Sequence, residues 1–211
     1  MENRGILLSQ IAFTTRGVIP IGIFLIQHLV VNHFAVYGPE SFNKAAHFME
    51  SLPFRYALEL LIIFLPILFH AVLGVYIVFV AKNNVSRYGF FRNWMFFLQR
   101  ITGIITLIFI VWHVWQTRIQ IGLGNVELDY SLMEDILSNP AMFGFYILGV
   151  VSTTFHFANG LWSFLVSWGN YSNTSFTKNR YICNDFSFPS SNIYWCSSII
   201  RICIRDCYLW K

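Results

Sequence analysis

The chain has 211 residues, of which 56% are hydrophobic, 18% aromatic and 11% charged, against about 25% charged in an ordinary soluble domain. The missing charge falls in blocks of about 20 residues, the length of a helix that crosses a bilayer, so an all-α, multi-pass membrane protein is expected, with no room for a separate soluble catalytic domain. The formal net charge of +4 is too modest to point to a nucleic-acid partner.

In chain order, a short N-terminal stretch carrying Arg4 and Arg16 precedes the first apolar block, "GVIPIGIFLIQHLVVNHFAV". That block is too long for a signal-peptide core and lacks a small-residue cleavage site after it, so it is read as retained. Lipid offers the backbone no hydrogen bonds, and a helix satisfies its own. Four spans are predicted over residues of about 17–36, 57–80, 95–117 and 141–168. The loop after the second span holds Lys82, Arg87 and Arg92 and no acid. By the excess of Lys and Arg in cytoplasmic loops it lies inside. The loop after the first span is balanced (Glu40, Lys44, Glu50, Arg55), and the loop after the third is acidic (Glu127, Asp129, Glu134, Asp135 against Arg118). Both read as outside, which puts the N-terminus in the cytoplasm.

Residues 170–211 differ in kind. All four Cys of the chain, with five Asn and seven Ser, fall in these 42 residues. Cys183, Cys196, Cys203 and Cys207 contain no C-x-x-C pair and the stretch has no His, a weak case for zinc. Disulfides are not expected on a cytoplasmic tail. Two readings stay open: a polar, Cys-rich tail, or a shifted reading frame. One choice of codons for "NYSNTSFTKNRYICNDF" lets the neighbouring frame encode a basic loop followed by a long apolar run.

The histidines carry the chemistry. Of the six, His28, His70, His113 and His156 lie one per predicted span. An ionisable side chain in lipid is costly, so it faces the interior and marks a functional position. Helical rise converts position to depth. His28 and His113, on spans running outward, fall in the outer half, and His70 and His156, on spans running inward, fall in the inner half. Two pairs at two depths, each from two helices, suit two bis-His haems, with both axial positions filled for electron transfer. Gly74, Gly103, Gly149 and Gly160 would let a flat macrocycle approach the backbone. Arg16 and Arg100 inside, and Arg55 and Arg118 outside, could pair with haem propionates.

Other readings compete. An intramembrane His is as often helix–helix glue as a ligand. Four titrating His could instead serve a haem-free transporter or proton pathway, although such a site gathers its His at one depth. A dihaem cytochrome b serving a hydrogenase or formate dehydrogenase is a further alternative. His33 and His47 are read as solvated or near a quinone, and Glu59, His33 and His47 as candidate proton donors. Trp94, Trp112, Trp115 and Trp162 are read as an interfacial belt.

The segments "GVIPIGIFLIQHLVVNHFA", "FNKAAHFMESLPFRYALE", "LQRITGIITLIFIVWHVWQTRI" and "FHFANGLWSFLVSWG" closely resemble the dihaem cytochrome b558 family that anchors succinate dehydrogenase in Bacillus-type bacteria. The resemblance covers residues of about 10–169, some three quarters of the chain. It implies five spans with the N-terminus inside, two haem b, His70 and His156 on the inner higher-potential haem and His28 and His113 on the outer lower-potential one. It implies flavoprotein and iron–sulfur partner subunits at the cytoplasmic face. It also implies electron flow from succinate through the clusters and haems to menaquinone near the outer surface. None of the four His is lost. The family pattern departs after Gly169, where a fifth span is expected. Residues 1–169 are therefore taken as the dihaem four-helix part and 170–211 as a separate tail.

Overall fold

The computed structural model describes residues 2–82 and 84–169, with side chains described over 18–82 and 84–164. The readings of residues 170–211 and of the Arg4 and Arg16 side chains lie outside this range. Among the described residues every regular element is helical. Four helices are long and apolar enough to cross a membrane: Val18–Tyr37, Arg55–Val80, Phe91–Gly122 and Pro140–Phe164. The expected spans are all present. The third runs on to Gly122 because a wider π turn over Trp115–Ile119 continues the helix instead of ending it. The first helix begins at Glu2, well before the apolar block. No Gly-Pro or Asn-Gly breaker stands between the polar N-terminus and the span, and Pro20 is accommodated inside the helix.

Two short helices in the loops were not foreseen. Pro39–Glu50 starts after Gly38, whose φ of 100° suits only glycine, and Pro39 supplies the fixed φ of a first helical residue. Tyr130–Ser138 is capped by Asp129, whose Oδ1 accepts from the Leu132 amide at 3.0 Å. The fourth span is capped in the same manner by Asn139, whose Oδ1 accepts from the Ala141 and Met142 amides at 2.9 and 3.3 Å, with Pro140 following.

The chain divides into two compact units. The first comprises Met1–Lys82 and His113–Ser138. In it the first two spans pack together, and the two loop helices join through Phe42, whose ring meets Tyr130 at 6.0 Å, and Asn43, which accepts the Tyr130 amide at 2.8 Å. The second comprises Asn83–Trp112 and the chain from Asn139 onward. Its core is aromatic, with Phe109 and Tyr146 both buried and their rings edge to face at 5.3 Å. Gly149 makes this packing possible: a Cβ there would stand 2.2 Å from the Phe109 ring.

Large apolar side chains cover the outside of the spans. Ile23, Leu61, Leu68, Phe79 and Val111 are each more than half exposed, as lipid-facing residues are. Phe48, Phe54 and Tyr56, at 65%, 85% and 71% exposed, cluster where the second span begins. This is the amphipathic aromatic edge expected of a membrane interface.

Candidate functional site

In the first unit the first span delivers His28 and the far end of the third delivers His113. Their ring centroids stand 5.9 Å apart at an interplanar angle of 74°. With about 2 Å for each nitrogen–metal bond and roughly 1 Å from that nitrogen to its ring centre, two imidazoles on opposite faces of one iron stand about 6 Å apart. The pair has the ring separation that a shared iron would need. Two further contacts fix it. Asn32, one turn after His28 on the same helix, donates through Nδ2 to the His28 carbonyl at 2.8 Å and lies 3.3 Å from Nε2. Thr117 Oγ1 donates to the His113 carbonyl at 2.6 Å from within the π turn. π turns recur at functional positions because they re-aim the side chains around them.

His156, in the second unit, is held differently. Its Nδ1 lies 3.0 Å from the Gln99 backbone carbonyl. A carbonyl only accepts, so Nδ1 carries the proton and, in a neutral ring, Nε2 carries the lone pair. This is the tautomer in which a metal-ligating His is usually set by a second partner. Gly103 faces the ring, and a Cβ there would come 2.9 Å from Cε1 and 3.2 Å from Nδ1. His70 sits half-buried in the second span and belongs to the first unit.

The expected glycine roles divide. Gly103 borders an imidazole and Gly160 borders the Gln99 amide, whereas Gly149 is occupied by the Phe109 ring and so serves helix packing. Gly74, one turn beyond His70, has no described atom within 4 Å of where its Cβ would stand.

The arginines expected near the outer surface have protein partners. Arg118 donates through Nε and Nη2 to Glu59 Oε2 at 3.0 and 2.7 Å, and its guanidinium lies over the Tyr56 ring at 5.6 Å. Arg55 bonds Glu50 Oε1 at 2.9 Å and approaches Glu59 Oε1 at 3.7 Å. Glu59 opens one π turn and Arg118 lies in the other, so the two irregular segments are tied by a two-bond charge-assisted contact. Glu59, expected as a candidate proton donor, is the partner of Arg118. His33 and His47 are exposed, His33 edge-on to Tyr37 at 5.8 Å and His47 at 3.6 Å from Glu50.

Trp94, Trp112 and Trp115 are exposed as a belt would be. Trp162 is not: it is half-buried, Arg92 lies over its ring at 5.2 Å, and its buried Nε1 has no hydrogen-bond partner among the described residues. Gln99 and Asn159 were missed as site residues. Their signal was faint but present: two amides within membrane spans, each within one turn of a glycine.

Residues 81–183 match the family described as succinate dehydrogenase/fumarate reductase transmembrane subunit. The chain is also 68% identical, over 153 residues, to the succinate dehydrogenase cytochrome b558 subunit of Bacillus subtilis (strain 168), an alignment covering 72% of this chain and 75% of the relative. The chain belongs to the succinate dehydrogenase/fumarate reductase transmembrane subunit family. No solved structure matches it. Membership of this family settles the choice among respiratory partners in favour of a succinate dehydrogenase or fumarate reductase complex, and makes the four apolar helices those of a multi-pass membrane subunit.

Proposed function

We propose that this chain is the dihaem cytochrome b subunit through which a succinate dehydrogenase passes electrons from its iron–sulfur subunit to menaquinone. The observation that carries the reading is the meeting of His28 and His113, from two different spans, at a centroid separation of 5.9 Å. These two would hold one haem b, and His70 with His156 the other. Haem held by these pairs would supply one-electron exchange rather than oxygen binding.

The chain's own residues do the rest. The spans supply apolar walls that keep water from the ligands. The Gln99 carbonyl, accepting the His156 Nδ1 proton, makes the opposite nitrogen a better electron donor. The Glu59–Arg118 brace fixes the helix turns that follow His113 and begin the second span. His33 and His47, both exposed, are the residues that could pass protons to a quinone at that end. The relative's name assigns it to succinate dehydrogenase. Succinate oxidation itself would take place on a flavoprotein partner, because this chain carries no flavin fingerprint in its sequence. The N-terminus would lie on the cytoplasmic side of the cell membrane, where the flavoprotein and iron–sulfur subunits dock.

The test is a reduced-minus-oxidised optical spectrum of membranes expressing the full chain, with haem and chain both quantified. Two b-type haems per chain are expected. His28→Ala and His113→Ala should remove the same spectral component, and His70→Ala and His156→Ala the other. Membranes without haem, or any other pairing of losses, would overturn the reading.

A further inference from the structure

Gln99 and His156 grip each other at two points. The Gln99 side-chain Nε2 donates to the His156 carbonyl at 3.0 Å, while the His156 ring Nδ1 donates to the Gln99 carbonyl at 3.0 Å. Asn159, buried at 3% exposure, locks the arrangement: its Nδ2 donates to Gln99 Oε1 at 2.7 Å and to the Met95 carbonyl at 3.2 Å. Ordinary helix glue accounts for amide-to-carbonyl bonds between spans. It does not account for an imidazole bonded to the backbone of the same residue whose side chain holds the imidazole's own backbone.

The glycines show why this geometry is available here. In a helix the carbonyl of residue i points along the axis toward residue i+4, whose side chain normally shields it. The residue four after Gln99 is Gly103, and the place of its missing Cβ lies 2.9 Å from the His156 ring. A carbonyl has two lone pairs, so the Gln99 oxygen can take the ring proton as well as its helical bond. On the facing helix Gly160 leaves room for the amide, since a Cβ there would stand 3.2 Å from Gln99 Nε2.

We propose that the Gln99 backbone carbonyl sets the tautomer of His156, while the Gln99 side chain, fixed by Asn159 and seated between Gly103 and Gly160, holds the His156 backbone and so sets the ring's rotation, making Gln99 a positioning residue that tunes one of two metal centres. The proposal rests on the reading of His156 as an axial ligand. Beside His28, among the described residues, the bonded side chain is Asn32, from its own helix. The device acts on the centre that contains His156. A hydrogen bond from Nδ1 to a carbonyl makes the imidazole more electron-donating. Weakening the grip should therefore raise the reduction potential of the centre that contains His156 and leave the other unchanged.

The experiment is a redox titration and a low-temperature electron paramagnetic resonance spectrum of membranes carrying the full chain, unsubstituted and as Gln99→Met. His156→Ala identifies, by its absence, the component to watch. The expected result is an upward shift of that component's potential and a changed largest g value, with the second component unmoved. Selective loss of that component would carry the same meaning. Gly103→Ala perturbs the ring from the other side and reads the same component if Gln99→Met does not accumulate. Unchanged potentials and g values, or equal loss of both components, would overturn the positioning role. The spectrum of the unsubstituted chain separates this from the haem reading: no haem there would sink both.

Discussion

The two units hold their histidines by opposite means. In the first, two imidazoles from different spans face each other at 5.9 Å, and the nearby contacts are local: Asn32 to His28 and Thr117 to His113, each one turn away on the same helix. Long-range order there comes from charge at the span ends, where Arg118 meets Glu59. In the second unit His156 is held across two helices by backbone and amide, and the order comes from a seam of small and polar residues through the interior, Gly103, Thr106, Gly149, Ser152 and Asn159. The contrast teaches that a membrane helix pair without a hydrophobic driving force can be fixed either by ion pairs at its wet ends or by close backbone approach and amide bonds within.

Removing a histidine breaks the contrast most completely. His113→Ala and His156→Ala should each cost about half of the haem, in different spectral components, as measured by pyridine haemochrome against chain content. Loss of the same component from both would mean that His113 and His156 belong to one centre.

Next in size is the seam. Gly149→Ala would place a methyl 2.2 Å from the Phe109 ring, in the packed core of the second unit. Overpacking of this kind costs about 1–3 kcal/mol, seen as a lowered midpoint in thermal unfolding of the detergent-solubilised protein. Gly74→Ala is the contrasting control, since no described atom lies within 4 Å of its added methyl. A similar effect from both would show that glycine matters here for a reason other than close approach.

The brace should matter no more than the seam and only in the first unit. Arg118→Met leaves Glu59 without its two short bonds, at a cost of about 1–3 kcal/mol in the same melt. The double variant Arg118→Met with Glu59→Gln should recover part of that, because no charge is then left half-buried. Additive losses would show that the two residues do not act as a pair. The smallest effect belongs to the Lys44–Glu40 contact, 2.7 Å long but with side chains 76% and 84% exposed. Lys44→Ala should change stability by no more than about 0.5 kcal/mol. A larger change would place that loop helix under a restraint that the surface pair does not explain.

The spans were legible because lipid leaves one solution. An uncharged block of about 20 residues must be a helix, and its length reports itself. The histidines were legible for the same reason, since polar chemistry in such a block is conspicuous. Helical depth was enough to bring His28 and His113 to one level, and their rings do meet. The loop helices Pro39–Glu50 and Tyr130–Ser138 were not read, although Pro39 after Gly38 and Asp129 before an apolar turn are ordinary starting signals.

By itself the amino-acid sequence determined that this is an all-helical membrane protein with a histidine inside each of four spans, because hydropathy and composition act along the chain and need no partner to be read. Only the tertiary structure decided which neighbours those residues have. That Glu59 is the partner of Arg118, that Gly149 receives Phe109 and that Gln99 grips His156 depend on the rotation and axial register of one helix against another. Those are set by contacts between residues far apart in the chain, such as Gln99 with His156 and Glu59 with Arg118, which no local pattern encodes.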